Sequence, residues 1–199
     1  MNKVGLLGCG AIVLVVLLIG GMVLVGGYNS LVTGEEGVKS AWSQVENVYQ
    51  RRADLIPNLV ATVKGVANFE KETYTAVTEA RAKVGQIKIT PEMLNDPNAI
   101  AKFQQAQGEL GSALSRLLVV SENYPELKAN QNFLDLQSQL EGTENRIAQE
   151  RRNYNQVAQS YNTMVRRFPK NIIASIFGFK QKAYFTAEEG SNKAPEVKF

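Results

Sequence analysis

The chain has no histidine and one cysteine, Cys9, among its 199 residues. Those shortages exclude several chemistries together, since an intrachain disulfide, a Cys/His zinc site and a Ser-His or Cys-His nucleophile pair cannot be assembled. A soluble part without cysteine suits either side of a membrane, so composition does not fix the redox compartment. The sequence also lacks a Gly-rich phosphate loop, a nucleophile elbow and a paired-carboxylate motif, and so nominates no catalytic, metal or cofactor-binding residue. Charge is not concentrated either: 22 basic and 19 acidic residues are mixed along the chain, for a net +3. Mixed charge is the pattern of solvated helix faces and speaks against nucleic acid as a partner.

The longest shortage is of polar side chains. From Val4 to Gly27 no residue is charged or strongly polar. At about 1.5 Å per residue, a helix over this run crosses the roughly 30 Å hydrocarbon core of a bilayer. Residues 4–27 are therefore predicted to form a transmembrane helix behind a short tail (1–3), with the lipid bilayer as its partner. A cleavable secretory signal has an apolar core of only about 7–15 residues and an A-x-A-like site, which does not follow here. Leu6-Leu7-Gly8-Cys9 looks like a lipobox, but its apolar run follows the cysteine instead of preceding it.

A linker is expected over 28–34, with Thr33, Gly34 and two glutamates as helix-start signals. Beyond it, Val38, Trp42, Val45, Tyr49, Arg52, Ile56, Leu59, Val63, Val66, Glu70, Thr73, Val77, Ala80 and Val84 alternate in steps of four and three. Such a repeat marks a helix packing along a left-handed, coiled-coil-like seam. Pro57 falls inside it without shifting the phase, which favours a kinked but continuous helix over a reversal. After a connector, Asp96-Pro97 supplies an N-cap and a proline at the first helical position. The next helix carries Ile100, Phe103, Gln107, Leu110, Leu114, Leu117, Ser121 and Tyr124 and is stopped by Pro125. A last long helix carries Phe133, Leu136, Leu140, Thr143, Ile147, Glu150, Tyr154, Val157, Tyr161, Met164 and Phe168. No convincing period-two run occurs, so the fold class is all-α: a transmembrane helix, then an antiparallel bundle of long helices over 35–185. The bundle is up-down-up with three helices, or four-helix if the chain turns at Pro57. Residues 170–185 form an apolar segment within it, and 186–199 a disordered polar tail.

The stretches AWSQVE (41–46), QRRADLIPNLV (50–60), LSRLLVVSENYPELKANQNF (114–133), ENRIAQERRNYN (144–155) and FPKNIIASIFGF (168–179) resemble, in this order, the LemA family of bacterial proteins. The resemblance covers about residues 28–186 behind a single membrane helix. It implies a membrane-anchored helical bundle without an established enzymatic activity, with a short amino terminus outside the cell. Charge near the membrane leans the other way. Lys3 and the α-amino group precede the apolar run, while Lys39 is the only basic residue in the first 20 after it, which favours a cytoplasmic amino terminus and an external bundle.

Two groups of residues stand out. Arg52 and Glu150 occupy seam positions, where a charge must be paired or must snorkel outward. Arg51, Arg52 and Asp54 are expected to support the backbone around Pro57, so that these residues and Glu150 form a structural polar layer and kink. Ile172, Ile173, Ile176, Phe177, Phe179 and Lys180 are the candidate contact with a membrane surface or a partner. Trp42, Tyr49, Tyr154, Tyr161 and Phe168 read as core aromatics, and Asn145, Asn153, Asn155 and Asn162 with Arg146, Arg151 and Arg152 as a solvated face, the alternative being a partner surface. The function that follows is a non-enzymatic scaffold or adaptor at the bacterial envelope, as a homo-oligomer or with other envelope proteins. The rival is a sensory or ligand-binding bundle, which requires a polar-lined interior cavity.

Overall fold

Apolar positions three and four residues apart dictate helices, and the described residues form little else. The computed structural model describes residues 3–66 and 69–186. The regular elements among them are α1 (Lys3–Lys64), α2 (Lys71–Gly85), a 3-10 turn (Pro91–Asn95), α3 (Pro97–Ser121), α4 (Pro125–Lys128), α5 (Gln131–Arg166) and α6 (Lys170–Phe177). Met1, Asn2 and the tail from residue 187 onward lie outside the described residues. α3 starts as its sequence requires: the Asp96 carboxylate accepts from the Asn98 amide at 2.9 Å, and Pro97 takes the first position, where no N–H is needed.

α1 departs from the expected boundaries at two places. The linker expected at 28–34 is helical. Thr33, read as a start signal, turns its hydroxyl back to donate to the Asn29 carbonyl at 2.9 Å, and Leu31 is fully buried. Packing of that kind outweighs weak local start signals. Gly34 permits a close approach instead of starting a helix, since a Cβ there would lie 2.5 Å from Met164 Cε and 3.1 Å from Tyr161 Cδ2.

Further along, α1 runs through Pro57 and stops at Lys64, where the seam was expected to continue to Val84. The amides of Gly65 and Val66 donate to the carbonyls of Thr62 and Val63, three residues back, each at 3.2 Å. This is the tightening by which helices end. Gly65 and the charged Glu70, which is exposed at its nominal seam position, are the signals that the unbroken phase concealed. The seam expected to form one helix is therefore two, α1 and α2, through a break at Gly65 and not at Pro57.

The chain divides into two compact units, Met1–Ser40 with Gln156–Lys182 and Ala41–Asn155 with Ala183–Phe199. In the larger, Ile56, Leu59 and Val63 of α1 join Val77 of α2, Leu110, Leu114 and Leu117 of α3, Leu127 of α4, and Phe133 and Leu140 of α5 in one buried cluster. Each such side chain contributes about 1.5–3 kcal/mol when fully buried. Trp42 of the same unit holds Phe103, Tyr154 and Phe185 within 5.4, 5.5 and 5.8 Å between ring centroids. The smaller unit centres on Leu31, Ile173 and Ala174, with Met164, Val165 and Phe179 against them. Phe168, expected on the seam, is exposed, because α5 ends at Arg166 before reaching it.

Candidate functional site

Arg52 is a buried seam position at which a charge replaces an aliphatic residue, and the larger unit builds a site around it. Its side chain is 3% exposed. Nη1 donates to Glu144 at 2.8 Å, and Nη2 donates to the Gln107 carbonyl at 3.1 Å and to the Gln107 side-chain oxygen. The guanidinium also lies over the Tyr49 ring, 5.2 Å from its centroid. Nε is buried without a partner. A cleft of about 450 Å³ opens beside the group, lined by Tyr49, Gln104, Gln107, Gly108, Gly111, Ser112, Ser115, Glu144, Ile147 and Arg151. Glycine and serine on α3 leave the space, while two guanidiniums against one carboxylate give it a positive balance.

Arg52 is held by Glu144 and Gln107, and not by the residues expected to form a polar layer with it. Glu150 is not the partner: its carboxylate accepts from Asn153 at 3.2 Å. Glu144, beside the seam residue Thr143 and half-exposed, takes the role.

Pro57 presents a separate problem. It has no N–H, so the carbonyl four residues back, on Ala53, loses its helical donor. Arg51, Arg52 and Asp54, expected to support it, do not. The support comes from elsewhere: Arg81 Nε, from α2, donates to Ala53 O at 2.8 Å. Arg51 is exposed, Asp54 accepts from the Gln50 amide at 2.7 Å, and Arg52 faces its own site.

In the smaller unit, α6 splits the expected contact residues. Ile173 is buried and cannot be a contact, and Phe179 is half-buried. Ile172, Ile176, Phe177 and Lys180 are exposed. Gly178, at φ 77°, ends the helix in the left-handed conformation that glycine adopts freely. The chain after it has no regular secondary structure through residue 186, and two asparagines read as solvated each bond both backbone groups of one residue in it. Asn162 accepts from the Lys182 amide at 2.7 Å and donates to its carbonyl at 2.8 Å. In the larger unit Asn155 treats Phe185 alike, at 2.9 Å both ways. Their seven-residue spacing, two helical turns, was the available signal. Lys182 is buried and donates to Glu35 at 2.7 Å. Tyr161 and Tyr154 are buried as well, and burial raises both phenol pKa values, with Glu35 adding to the first and Tyr184 to the second.

No group of three or more Asp, Glu or Cys side chains placed to hold a metal occurs among the described residues. One helix among them is long and apolar enough to cross a membrane. The LemA family model matches residues 41–199. Magnetosome protein MamQ 2 of Paramagnetospirillum magneticum is 32% identical over 174 residues, covering 79% of this chain and 64% of that protein. Magnetosome protein MamQ of Magnetospirillum gryphiswaldense is 30% identical with the same coverage. Protein LemA of Metamycoplasma hominis is 27% identical over 84% of this chain and 72% of its own length. The chain thus spans under two thirds of the magnetosome relatives.

Proposed function

We propose that this chain, which belongs to the LemA family, is a non-enzymatic scaffold held in a bacterial membrane by residues 4–27, with its helical bundle available to envelope proteins or to further copies of itself. The observation that carries this reading is α1 itself. Its Ile12 and its large apolar side chains from Leu14 to Val25 are exposed, and the same helix continues through Lys64. Nothing in the described residues covers that apolar surface, and a bilayer would. Crosslinking in cells at native abundance, followed by isolation in mild detergent, tests the scaffold role. Discrete oligomers or one reproducible envelope partner are expected, and an uncrosslinked monomer in every preparation would refute it.

Orientation follows from the cations beside the bilayer. Counted along the chain, they favour a cytoplasmic amino terminus. That count leaves out Arg166, Arg167, Lys170 and Lys180 near α6, and a Cβ on Gly27, at the end of the apolar run, would lie 3.9 Å from Lys170 Cγ. With these included, the balance favours a cytoplasmic bundle. An impermeant thiol reagent that reaches Gln149→Cys in intact cells, on a Cys9→Ser background, would contradict this.

The polar cleft at Arg52 favours a second reading, a bundle that binds a small anion between helices. The test is a thermal-shift survey of small carboxylates and phosphates on the full chain. A ligand that stabilises the protein but not Arg52→Met supports it, and no shift with any anion removes it.

A further inference from the structure

From Arg151 to Ala187 the sequence contains no acidic residue, yet residues 156–182 carry Arg166, Arg167, Lys170, Lys180 and Lys182. Lys182 is buried against Glu35. Arg166, Arg167 and Lys180 are exposed and Lys170 is half-buried. Between these cations α6 buries one face and bares another. Ile173 and Ala174 pack against Leu31, while Ile172, Ile176 and Phe177 are 50%, 68% and 58% exposed, and Phe168 just ahead is 77% exposed. Large apolar side chains gathered in this way mark a contact surface, and an apolar face with cationic flanks is the composition of a helix lying in the headgroup plane.

Position decides the occupant. α6 packs where the uncharged run of α1 ends: a Cβ on Gly27 would overlap Ile173 Cδ1. The Tyr28 ring stands edge-on to Phe177 at 4.9 Å and to Phe179 at 5.7 Å. Aromatic rings collect at this depth because one end of the layer is apolar and the other wet. Just before Gly27, the large apolar residues from Leu14 to Val25 are 47% to 74% exposed. The bare face of α6 therefore continues the apolar surface of α1 at its polar edge, where lipid is already required.

We propose that α6, with Phe168 and the exposed cations Arg166, Arg167 and Lys180, forms a collar that binds anionic lipid headgroups beside the point where α1 leaves the bilayer, while Lys170 donates to the Ser30 hydroxyl at 2.7 Å and ties α6 to α1. The proposal rests on the membrane-spanning reading of residues 4–27. The apolar side chains enter the acyl boundary and the cations reach the headgroup phosphates from long, flexible stems.

The full chain, as Cys9→Ser with Ile176→Cys carrying an environment-sensitive fluorophore, is reconstituted into vesicles of phosphatidylcholine and phosphatidylglycerol, one or the other brominated. A Gln149→Cys label serves as the exposed control. The label at 176 is expected to emit to the blue of the control and to be quenched by bromine. Phosphatidylglycerol should be enriched around it roughly fivefold, the effect of about one engaged cation. Replacing Arg166, Arg167 and Lys180 by glutamine should abolish that preference and leave flotation with vesicles intact. A protein that floats while its 176 label is no better quenched than the control overturns the collar and leaves the anchor standing. Equal quenching by both lipids also overturns it, since the cations would then engage no headgroup. A protein that does not float refutes the anchor and the collar together.

Discussion

Arg81→Met should destabilise the protein only while Pro57 is present. The reasoning is an accounting of one carbonyl. Pro57 deprives Ala53 O of its helical donor, and Arg81 Nε supplies a replacement at 2.8 Å. A hydrogen bond from a charged donor contributes about 1.5–3 kcal/mol when buried. Both residues are half-buried, water can take over part of the role, and about 1 kcal/mol is the reasoned cost of Arg81→Met. Methionine keeps most of the apolar stem, so lost packing adds little. In Pro57→Ala the alanine amide reaches Ala53 O in the ordinary way, and the same Arg81→Met change should cost less than about 0.5 kcal/mol. The coupling across the cycle is then roughly 0.5–1 kcal/mol. Denaturant unfolding of the four proteins in mild detergent, followed by far-ultraviolet circular dichroism, measures it. Equal costs of Arg81→Met in the two backgrounds would refute the reasoning.

The Arg52 site predicts an asymmetry under the same assay. Glu144→Ala leaves a buried guanidinium without its carboxylate and should cost about 2–3 kcal/mol, reduced from the fully buried case because Glu144 is half-exposed. Arg52→Met, which leaves only the Gln107 side-chain oxygen without a donor, should cost about 1 kcal/mol. A cost for Glu144→Ala no larger than that of a surface pair would mean that water in the cleft already solvates the charge. Tyr154 and Tyr161 have phenol pKa values raised above the ordinary 10.0, mainly by burial. Stability should therefore be level below about pH 10 and fall as pH rises above it, the neutral phenol being the form the fold holds. Phenolate absorbance from these two should appear only with unfolding, and Tyr154→Phe and Tyr161→Phe should each remove one such group. Gly34→Leu should cost about 1–3 kcal/mol, since the flexible end of Met164 can yield but the Tyr161 ring, 3.1 Å from a Cβ there, cannot readily do so. A change in melting temperature within error would show that the approach is looser than described.

The seam residues from Val38 to Val63, Ile100 to Leu117 and Phe133 to Tyr154 were legible because burial on one helix face has to recur every three or four residues. The break after Lys64 was not, since the repeat resumes in phase and only Gly65 and Glu70 betray it. Residues 28–34 were misread because Thr33 and Gly34 are ambiguous locally: one can cap or bond back to its own helix, the other can end a helix or admit a neighbour. For the site, a charge at Arg52 announced a buried partner, and counting back from Pro57 identifies Ala53 as the deprived carbonyl. The partners Glu144 and Arg81 come from other helices, and no spacing within one helix can name them. The α6 cations had the same character, lying far from the apolar run in sequence and beside its end in the fold.

The claim on which the rest depends is that residues 4–27 hold the chain in a bilayer. Alkaline extraction of native membranes followed by flotation on a density gradient tests it directly, with Val16→Arg/Leu17→Asp as the control. Each such charge costs about 2.5–3.5 kcal/mol at a helix centre, so the control should stay at the bottom of the gradient while the natural chain floats with lipid. A natural chain that is stripped from the membranes and remains at the bottom with the control would contradict the account.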